Sequence, residues 1–293
     1  VLKDRATAVS VTRAREIGTD VVTCASTGNA AASLAGYAAR AGLECRIFVP
    51  GDAPPGKLAQ PLVYGADVLA VEGSYDEAYD LSVEVTDSYG WYNRNAAINP
   101  FQVEGKRTVG HELAEQTRGD VPDWLVFSMG DGCTIAGGWK GFREFYDLGY
   151  VEETPRMLGV QAEGASAIHD AFHAFDDADD LADTLADSIA VGRPRNTVKA
   201  CRELDESGGT ALTVSDEEIL AAETLLGRTE GIYAEPAGAA PIAGIREARD
   251  RGIVAADESV VAVVTGFGLK DTASAKRAVG DVARIDPTLD AVA

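Results

Sequence analysis

The sequence of 293 residues is poor in the residue types that build metal centres and disulfide scaffolds. Its four cysteines show no C-x-x-C spacing, and together with only three histidines they indicate neither a metal site nor a disulfide framework. His169 and His173 stand four residues apart and can share a helix face. A solvated helix beside an acidic run is the simpler interpretation of that pair.

Long apolar runs are missing as well. The apolar residues 260–264 are enough for a strand but far too few to span a bilayer. No signal peptide is recognisable, so we expect a cytoplasmic protein without a membrane partner. No G-x-G-x-x-G fingerprint follows the first predicted strand, which argues against a dinucleotide cofactor.

Positive charge is also scarce. Aspartate and glutamate number 47 against 26 lysines and arginines, which gives a formal net charge of −21 at pH 7. This excess argues against nucleic-acid binding, because a polyanion would be repelled. Only seven of the basic residues are lysines. Many acidic residues with few lysines are typical of proteins from a salt-filled cytoplasm, so we expect a halophilic protein; an ordinary acidic surface is the alternative.

Strand-length apolar runs alternate with helical patterns along the chain. Strands are predicted at residues 20–25, 45–49, 67–71, 124–129, 156–161, 210–214 and 260–264, the last of them buried. Helices are predicted at residues 29–40, 56–64, 74–88, 134–145, 194–205, 215–228 and 236–251. This alternation predicts an α/β fold in which helices cover both faces of mostly parallel sheets.

The best domain boundary lies between Gln116 and Val121. We therefore predict a smaller α/β domain at 1–118 and a larger one at 119–293. Residues 175–187 contain six aspartates and are predicted to form an exposed loop. Ser215, followed three residues later by Glu218, predicts a capping box at the start of a helix.

Two segments place reactive or polar groups at predicted helix starts. Lys3 precedes an apolar-periodic stretch, and the positive end of the helix dipole would lower the pKa of its amine. The segment Ser26-Thr27-Gly28-Asn29 opens the next helix with hydroxyl and backbone N–H groups suited to a carboxylate. Taken alone, the first is better explained as a surface lysine, and the second is only a good helix cap.

A glycine-rich segment lies between a predicted strand and a predicted helix, where an anion cradle forms most readily. Gly130 and Gly132 permit close approach of the backbone, and Thr134 adds a hydroxyl donor. Asp131 would repel a dianion, so its carboxylate must point away or cap the helix. A plain strand-to-helix turn is the alternative.

After the last predicted strand comes Thr265-Gly266-Phe267-Gly268-Leu269-Lys270-Asp271. With Lys3-Asp4-Arg5, the Ser26–Asn29 segment and the glycine-rich loop, it resembles the fold-type-II (tryptophan synthase β-like) enzymes that use pyridoxal phosphate. The resemblance is to the threonine synthase group, and segments 92–108, 189–209 and 231–240 extend it. It implies two three-layer α/β/α domains with the cofactor cleft between them. It also implies several tens of residues before Lys3, so we expect the first domain to lack its N-terminal start here.

The resemblance also assigns roles to residues. Lys3 would be the catalytic residue, holding pyridoxal 5'-phosphate as a Schiff base, with Asn29 against the pyridine ring. The Ser26-Thr27-Gly28-Asn29 loop would bind the carboxylate of a small amino-acid substrate, and the hydroxyl of Thr265 would meet the ring nitrogen. A hydroxyl there suits β- and γ-chemistry better than transamination. The phosphate would be held by Gly130, Asp131, Gly132, Cys133 and Thr134, although Cys133 stands where relatives usually carry a small residue.

The implied activity is that of a carbon–oxygen lyase of amino-acid metabolism, forming threonine and phosphate from O-phosphohomoserine and water. Relatives grip the substrate phosphate with a serine and an arginine where Ala97 and Gln102 stand here. Losing such a charge partner costs about 2–5 kcal/mol, or roughly thirtyfold or more in recognition. The charges of Arg94, Lys106 or Arg107 would compensate for it, or they belong to surface residues.

Two alternatives therefore stay open. One is a related β-elimination or β-replacement enzyme, such as a serine/threonine dehydratase, a cysteate synthase-like enzyme or a diaminopropionate lyase. The other is a catalytically silent protein that binds the cofactor. Because dimers are usual in this fold, we expect a homodimer.

Overall fold

The computed structural model describes residues 1–173, 183–280 and 282–287. They form two four-stranded sheets in which all neighbouring strands are parallel. The prediction of an α/β fold with parallel sheets and flanking helices is confirmed. The boundary between residues 118 and 119 stays a prediction.

The first sheet is built from the first third of the chain. Its strand order is β3-β2-β1-β4, with β1 (Val21–Ala25), β2 (Glu44–Pro50), β3 (Asp67–Val71) and β4 (Tyr92–Asn93). The helices of this half are α1 (Lys3–Glu16), α2 (Asn29–Ala41), α3 (Pro55–Val63), α4 (Tyr75–Tyr89) and α5 (Phe101–Gln116). Central β1 is almost entirely buried, because helices cover both faces of a parallel sheet and so select continuous apolar strands.

The second sheet has the order β7-β6-β5-β8, with β5 (Trp124–Ser128), β6 (Arg156–Ala162), β7 (Thr210–Val214) and β8 (Val260–Ala262). Its helices are α6 (Cys133–Asp147), α7 (Ala167–Phe172), α8 (Thr197–Glu206), α9 (Asp216–Glu230), α10 (Pro236–Asp250) and α11 (Thr272–Val279). The capping box predicted at the start of α9 is confirmed. The Ser215 hydroxyl accepts from Glu218 N at 3.3 Å, and Ser215 N donates to the Glu218 carboxylate at 2.7 Å.

Three predicted elements differ from the structure. The strand predicted at 260–264 is shorter and only partly buried, because β8 lies at a sheet edge and pairs with β5 alone. The helix predicted from residue 194 begins at Thr197, because the preceding residues bond to the loop after β5. Residues 175–182 of the predicted acidic loop lie outside the described residues, and within 183–187 Ala186 is fully buried.

His169 lies in α7 and His173 directly follows that helix, and their ring centroids lie 4.7 Å apart. His169 Nδ1 is 2.7 Å from the Asp170 carboxylate, and His173 Nε2 is 3.0 Å from the carbonyl oxygen of Ala211. In the part of the chain that the structure describes, no cluster of three or more potential ligands could hold a metal ion. None of the described helices combines the length and apolarity needed to cross a membrane.

Helices α5 and α6 approach each other closely through glycines. A Cβ atom at Gly141 would lie 1.9 Å from the carbonyl oxygen of Arg107, and one at Gly110 would lie 2.1 Å from that of Gly138. Any side chain at either position would force the helices apart, so glycine is needed at this contact. The contact brings Lys106 of α5 against the first turns of α6, which follow the predicted anion cradle.

Candidate active site

A cavity opens where the carboxyl ends of four strands meet the start of α1. Its lining residues come after β1, β4, β5 and β8, so both sheets contribute to it. Ligands of open α/β sheets bind at the carboxyl ends of strands.

All eight residues predicted from the sequence to bind the cofactor line this cavity. They are Lys3, Asn29, Gly130, Asp131, Gly132, Cys133, Thr134 and Thr265. Of the segment predicted to bind a carboxylate, Thr27, Gly28 and Asn29 line an adjoining cavity. The Ser26 hydroxyl forms a hydrogen bond within its own loop, where it accepts from Gly28 N at 3.1 Å.

The loop between β5 and α6 has the geometry of an anion cradle. Gly132, directly before the helix, has φ of 83°, a conformation that favours glycine. A Cβ atom there would lie 3.0 Å from both the Ala200 side chain and the carbonyl oxygen of Asn196. Among the described residues no side chain caps α6, so its first-turn N–H groups remain available to a ligand.

The carboxylate of Asp131 is held by another segment. One oxygen accepts from Arg195 N at 2.7 Å, and the other accepts from the Asn196 side-chain amide at 2.6 Å. It therefore anchors the chain just before α8 and does not cap α6. This arrangement is what we expect of a carboxylate that avoids contact with a bound anion.

Lys3 begins α1, as predicted, and its pKa is lowered to about 7. The largest cause is the positive charge of Lys106, followed by burial and the positive charge of Arg94. The sequence suggested the helix dipole as the cause, and neighbouring cations take its place in the structure. An amine with this pKa is substantially neutral near pH 7 and can attack a carbonyl carbon.

The structure shows which of Arg94, Lys106 and Arg107 are surface residues, a question that the sequence left open. Arg94 and Lys106 are 4% and 2% exposed, so neither is a surface residue. The Arg94 guanidinium donates to the Thr7 hydroxyl at 3.3 Å, and Lys106 lines the cavity. Arg107 is a partly exposed residue that pairs with Glu104 at 3.1 Å and with Glu144 at 2.8 Å.

The two positions expected to grip a substrate phosphate are occupied differently. Gln102 is completely buried in the contact between α5 and α1, where its amide donates to the Ser10 hydroxyl. Ala97 packs against the cluster formed by Ala25, Phe48 and Tyr79 and has no polar side-chain atom.

Sequence reasoning missed Glu235, which lines both cavities and is 5% exposed. The Asn29 amide donates to its two carboxylate oxygens at 2.7 and 3.0 Å, which joins α2 to the start of α10. Burial raises the pKa of Glu235, while the Asn29 hydrogen bond and the charge of Lys3 oppose that shift. Its only local signal is an acid directly before Pro236, where a helix begins.

Comparison with known proteins identifies the class. The family model of pyridoxal-phosphate dependent enzymes matches residues 2–266, and the chain belongs to this family. Its cofactor is pyridoxal 5'-phosphate, and the chain is a lyase that depends on it.

Threonine synthases are among its relatives. The chain is 43% identical over 290 residues to the threonine synthase of Methanocaldococcus jannaschii, an alignment covering 97% of the chain and 71% of the relative. Identity to the threonine synthase of Methanosarcina acetivorans is 42%, covering 99% and 72%. Identity to that of Mycobacterium bovis is 38%, covering 97% and 77%.

Solved structures of lower identity share the fold. The processed form of threonine deaminase isoform 2 from Solanum lycopersicum superimposes with a TM-score of 0.80 at 22% identity, covering 95% of this chain and 78% of that one. Diaminopropionate ammonia lyase from Escherichia coli gives 0.78 at 17% identity, covering 95% and 79%. At these identities the likeness shows the fold alone, which is that of a fold-type-II enzyme.

The residues around the cavity fit this cofactor. Lys3 offers an amine of lowered pKa for the aldehyde, and the start of α6 offers N–H groups for the phosphate. The side-chain oxygen of Asn29 is buried without a hydrogen-bond partner among the described residues, so a polar ligand atom or a water has a position to fill there.

We expect cofactor uptake by the apoprotein to increase with pH through about 7, because only the neutral Lys3 amine attacks the aldehyde. An ordinary lysine would give an increase centred near its reference pKa of about 10.4. The measurement is the initial rate at which the cofactor absorption band appears between pH 5.5 and 10, on the scale of these pKa values. A rate still climbing steeply above pH 9 would show that Lys3 titrates normally.

Proposed function

We propose that this protein is a threonine synthase, converting O-phosphohomoserine and water to threonine and phosphate. The observation that carries the proposal is the identity of 38–43% to threonine synthases over nearly the whole chain. The cavity geometry supports it, because a phosphate cradle, a reactive lysine and a further buried cation surround one space.

The proposed roles follow from where the side chains lie. Bound at Lys3, the cofactor supplies an electron sink for substrate carbanions. Lys3 holds the cofactor and moves protons at the substrate carbons, for which a pKa of about 7 is well matched to neutral pH. The loop of Gly130, Asp131, Gly132, Cys133 and Thr134 holds the cofactor phosphate through its backbone N–H groups.

Substrate and ring contacts complete the proposal. The Ser26-Thr27-Gly28-Asn29 loop, at the start of α2, binds the substrate carboxylate, and Asn29 also lies against the pyridine ring. The Thr265 hydroxyl meets the ring nitrogen. This segment is held in place because Leu2 N donates to the carbonyl oxygen of Thr265 at 3.0 Å, which ties the loop after β8 to the start of α1.

A second candidate is a lyase or β-replacement enzyme for an unphosphorylated amino acid. One observation favours it. The Gln102 amide donates to the Ser10 hydroxyl between α5 and α1, and Ala97 has no polar side-chain atom, so neither residue binds a phosphate. Serine, threonine and diaminopropionate are the substrates to test for this alternative.

The deciding experiment supplies O-phosphohomoserine to the cofactor-loaded protein in high salt. We expect phosphate and threonine to appear in equal amounts, because water replaces the phosphate that leaves. Both products are measured, phosphate colorimetrically and threonine by chromatography. A loaded enzyme that releases no phosphate would reject threonine synthase, whereas ammonia and a keto acid formed from serine or threonine would establish a dehydratase.

We further propose that the enzyme is a homodimer in the cytoplasm of a salt-adapted organism, with domains at 1–118 and 119–293. The acidic surface and the scarcity of lysine support the salt adaptation. The two separate sheets support the division into domains.

A further inference from the structure

Lys106 is among the largest fully buried side chains of the residues that the structure describes. Lysine is almost never buried without a partner, because its ammonium group is strongly hydrated. No carboxylate of the described residues forms an ion pair with Lys106, and its side chain lines the cavity. The structure therefore holds an unpaired positive charge at the wall of a cavity.

The surroundings of Lys106 add positive charge. Lys3 lines the same cavity, and the buried guanidinium of Arg94 lies near enough to act on Lys3. Among the described residues, the hydrogen-bond acceptor of that guanidinium is the Thr7 hydroxyl, which carries no charge. Two buried cations, Arg94 and Lys106, thus lie near the titrating amine of Lys3 in a protein with a net charge of −21. Such a group is stabilised by an anion placed among its members.

The position of Lys106 distinguishes between two anions. The cofactor phosphate has its own cradle at the uncapped start of α6. Lys106 reaches the cavity from the side of α1: a Cβ atom on the preceding Gly105 would lie 2.4 Å from the Cα atom of Ala6 and 2.5 Å from the carbonyl oxygen of Arg5. Lys106 therefore lines the cavity next to the helix that begins at Lys3, with which it shares that cavity.

We propose that Lys106 binds the phosphoryl group of a phosphorylated amino-acid substrate, so that the cavity accepts a second dianion besides that of the cofactor. This inference rests on the proposed function. An incoming phosphoryl group offsets the repulsion between Lys106 and Lys3 and so favours protonation of Lys3. Substrate binding is thereby linked to proton uptake next to the reacting carbons.

The test titrates inorganic phosphate into the cofactor-loaded protein by calorimetry, comparing wild type with Lys106→Gln and Lys106→Arg. Removing the charge should raise the Kd for phosphate by about thirtyfold or more. Arginine keeps the charge and should hold that Kd within about fivefold. The matched control is Lys199→Gln, which removes a positive charge from the exposed face of α8 and should change nothing.

Cofactor affinity, measured by fluorescence titration of the apoprotein, separates the two phosphate sites. Lys106→Gln should leave it within about threefold of wild type. An equal loss of cofactor and phosphate affinity would overturn the proposal, because Lys106 would then hold the cofactor phosphate. So would an unchanged phosphate Kd in Lys106→Gln, or no phosphate binding by wild type.

A measurement on the unmodified protein covers the case in which Lys106→Gln does not fold. Inorganic phosphate should raise the pH at which the absorption band of the bound cofactor titrates, because the anion cancels positive charge beside Lys3. An unchanged titration would overturn the proposal. Inorganic phosphate is not turned over, so these results stand apart from the failure of the protein to make threonine, which would reject only the proposed function.

Discussion

Replacing Lys3 by alanine should lower the rate of threonine formation from O-phosphohomoserine by at least about 10³-fold. The expected loss is this large because, in the proposed function, one amine both holds the cofactor and moves protons at the substrate. Its pKa of about 7 fits it for both tasks near neutral pH. The measurement is phosphate and threonine release by the cofactor-loaded variant in high salt, with the absorption spectrum recorded in parallel.

A matched control is Lys199→Ala, which removes an exposed lysine of α8 and should retain the wild-type rate. The spectrum of Lys3→Ala should resemble that of free cofactor, because the covalent link to the protein is lost. A Lys3→Ala enzyme that kept a tenth of the activity would show that another amine performs the chemistry.

Replacing Gly132 by valine should weaken cofactor binding by about a hundredfold. At φ of 83° a β-branched residue is strained by about 1–3 kcal/mol. Its Cβ would also press against Ala200 and the carbonyl oxygen of Asn196, each 3.0 Å away. We expect the loop to relieve this strain by moving the N–H groups at the start of α6, which we propose bind the cofactor phosphate. The Kd for the cofactor is measured by fluorescence titration.

Gly119→Val separates backbone strain from damage to the cradle. Gly119 has φ of 86°, but a Cβ atom there would have no described atom within 4 Å apart from its own chain neighbours. It lies between α5 and β5, away from the cavity. Both variants should unfold more easily than wild type, whereas only Gly132→Val should lose cofactor affinity. Equal cofactor affinities in the two variants would contradict the assignment of the loop as the phosphate cradle.

Much of this fold could be predicted from the sequence, because buried parallel strands and glycine-bounded helices leave strong local patterns. The strand predicted at 210–214 has the bounds of β7 in the structure. The periodicity gave no prediction of β4, which is only two residues long, or of α5. In α5 the buried positions include Gln102, Lys106 and two glycines, so its apolar pattern is broken.

The residues predicted to bind the cofactor could be placed in one cavity from the sequence because each follows a strand or begins a helix, and the carboxyl ends of parallel strands converge. Lys106 and Glu235 could not be predicted from the sequence in the same way. Each owes its burial to contacts between distant elements: Lys106 to the packing of α5 on α6, and Glu235 to its hydrogen bonds with Asn29. The cause of the lowered pKa of Lys3 was missed for the same reason, because Lys106 is far from it in the chain.

The glycine contact between α5 and α6 also fixes the distance between the two helices. It fixes Lys106 against the helix whose first turn forms the predicted cradle, through direct contact between the two backbones. On the proposal that Lys106 binds the substrate phosphoryl group, this contact sets the distance from that group to the cradle. We therefore expect the cavity to select its substrate by length, so that a phosphorylated amino acid shorter by one methylene group binds less tightly.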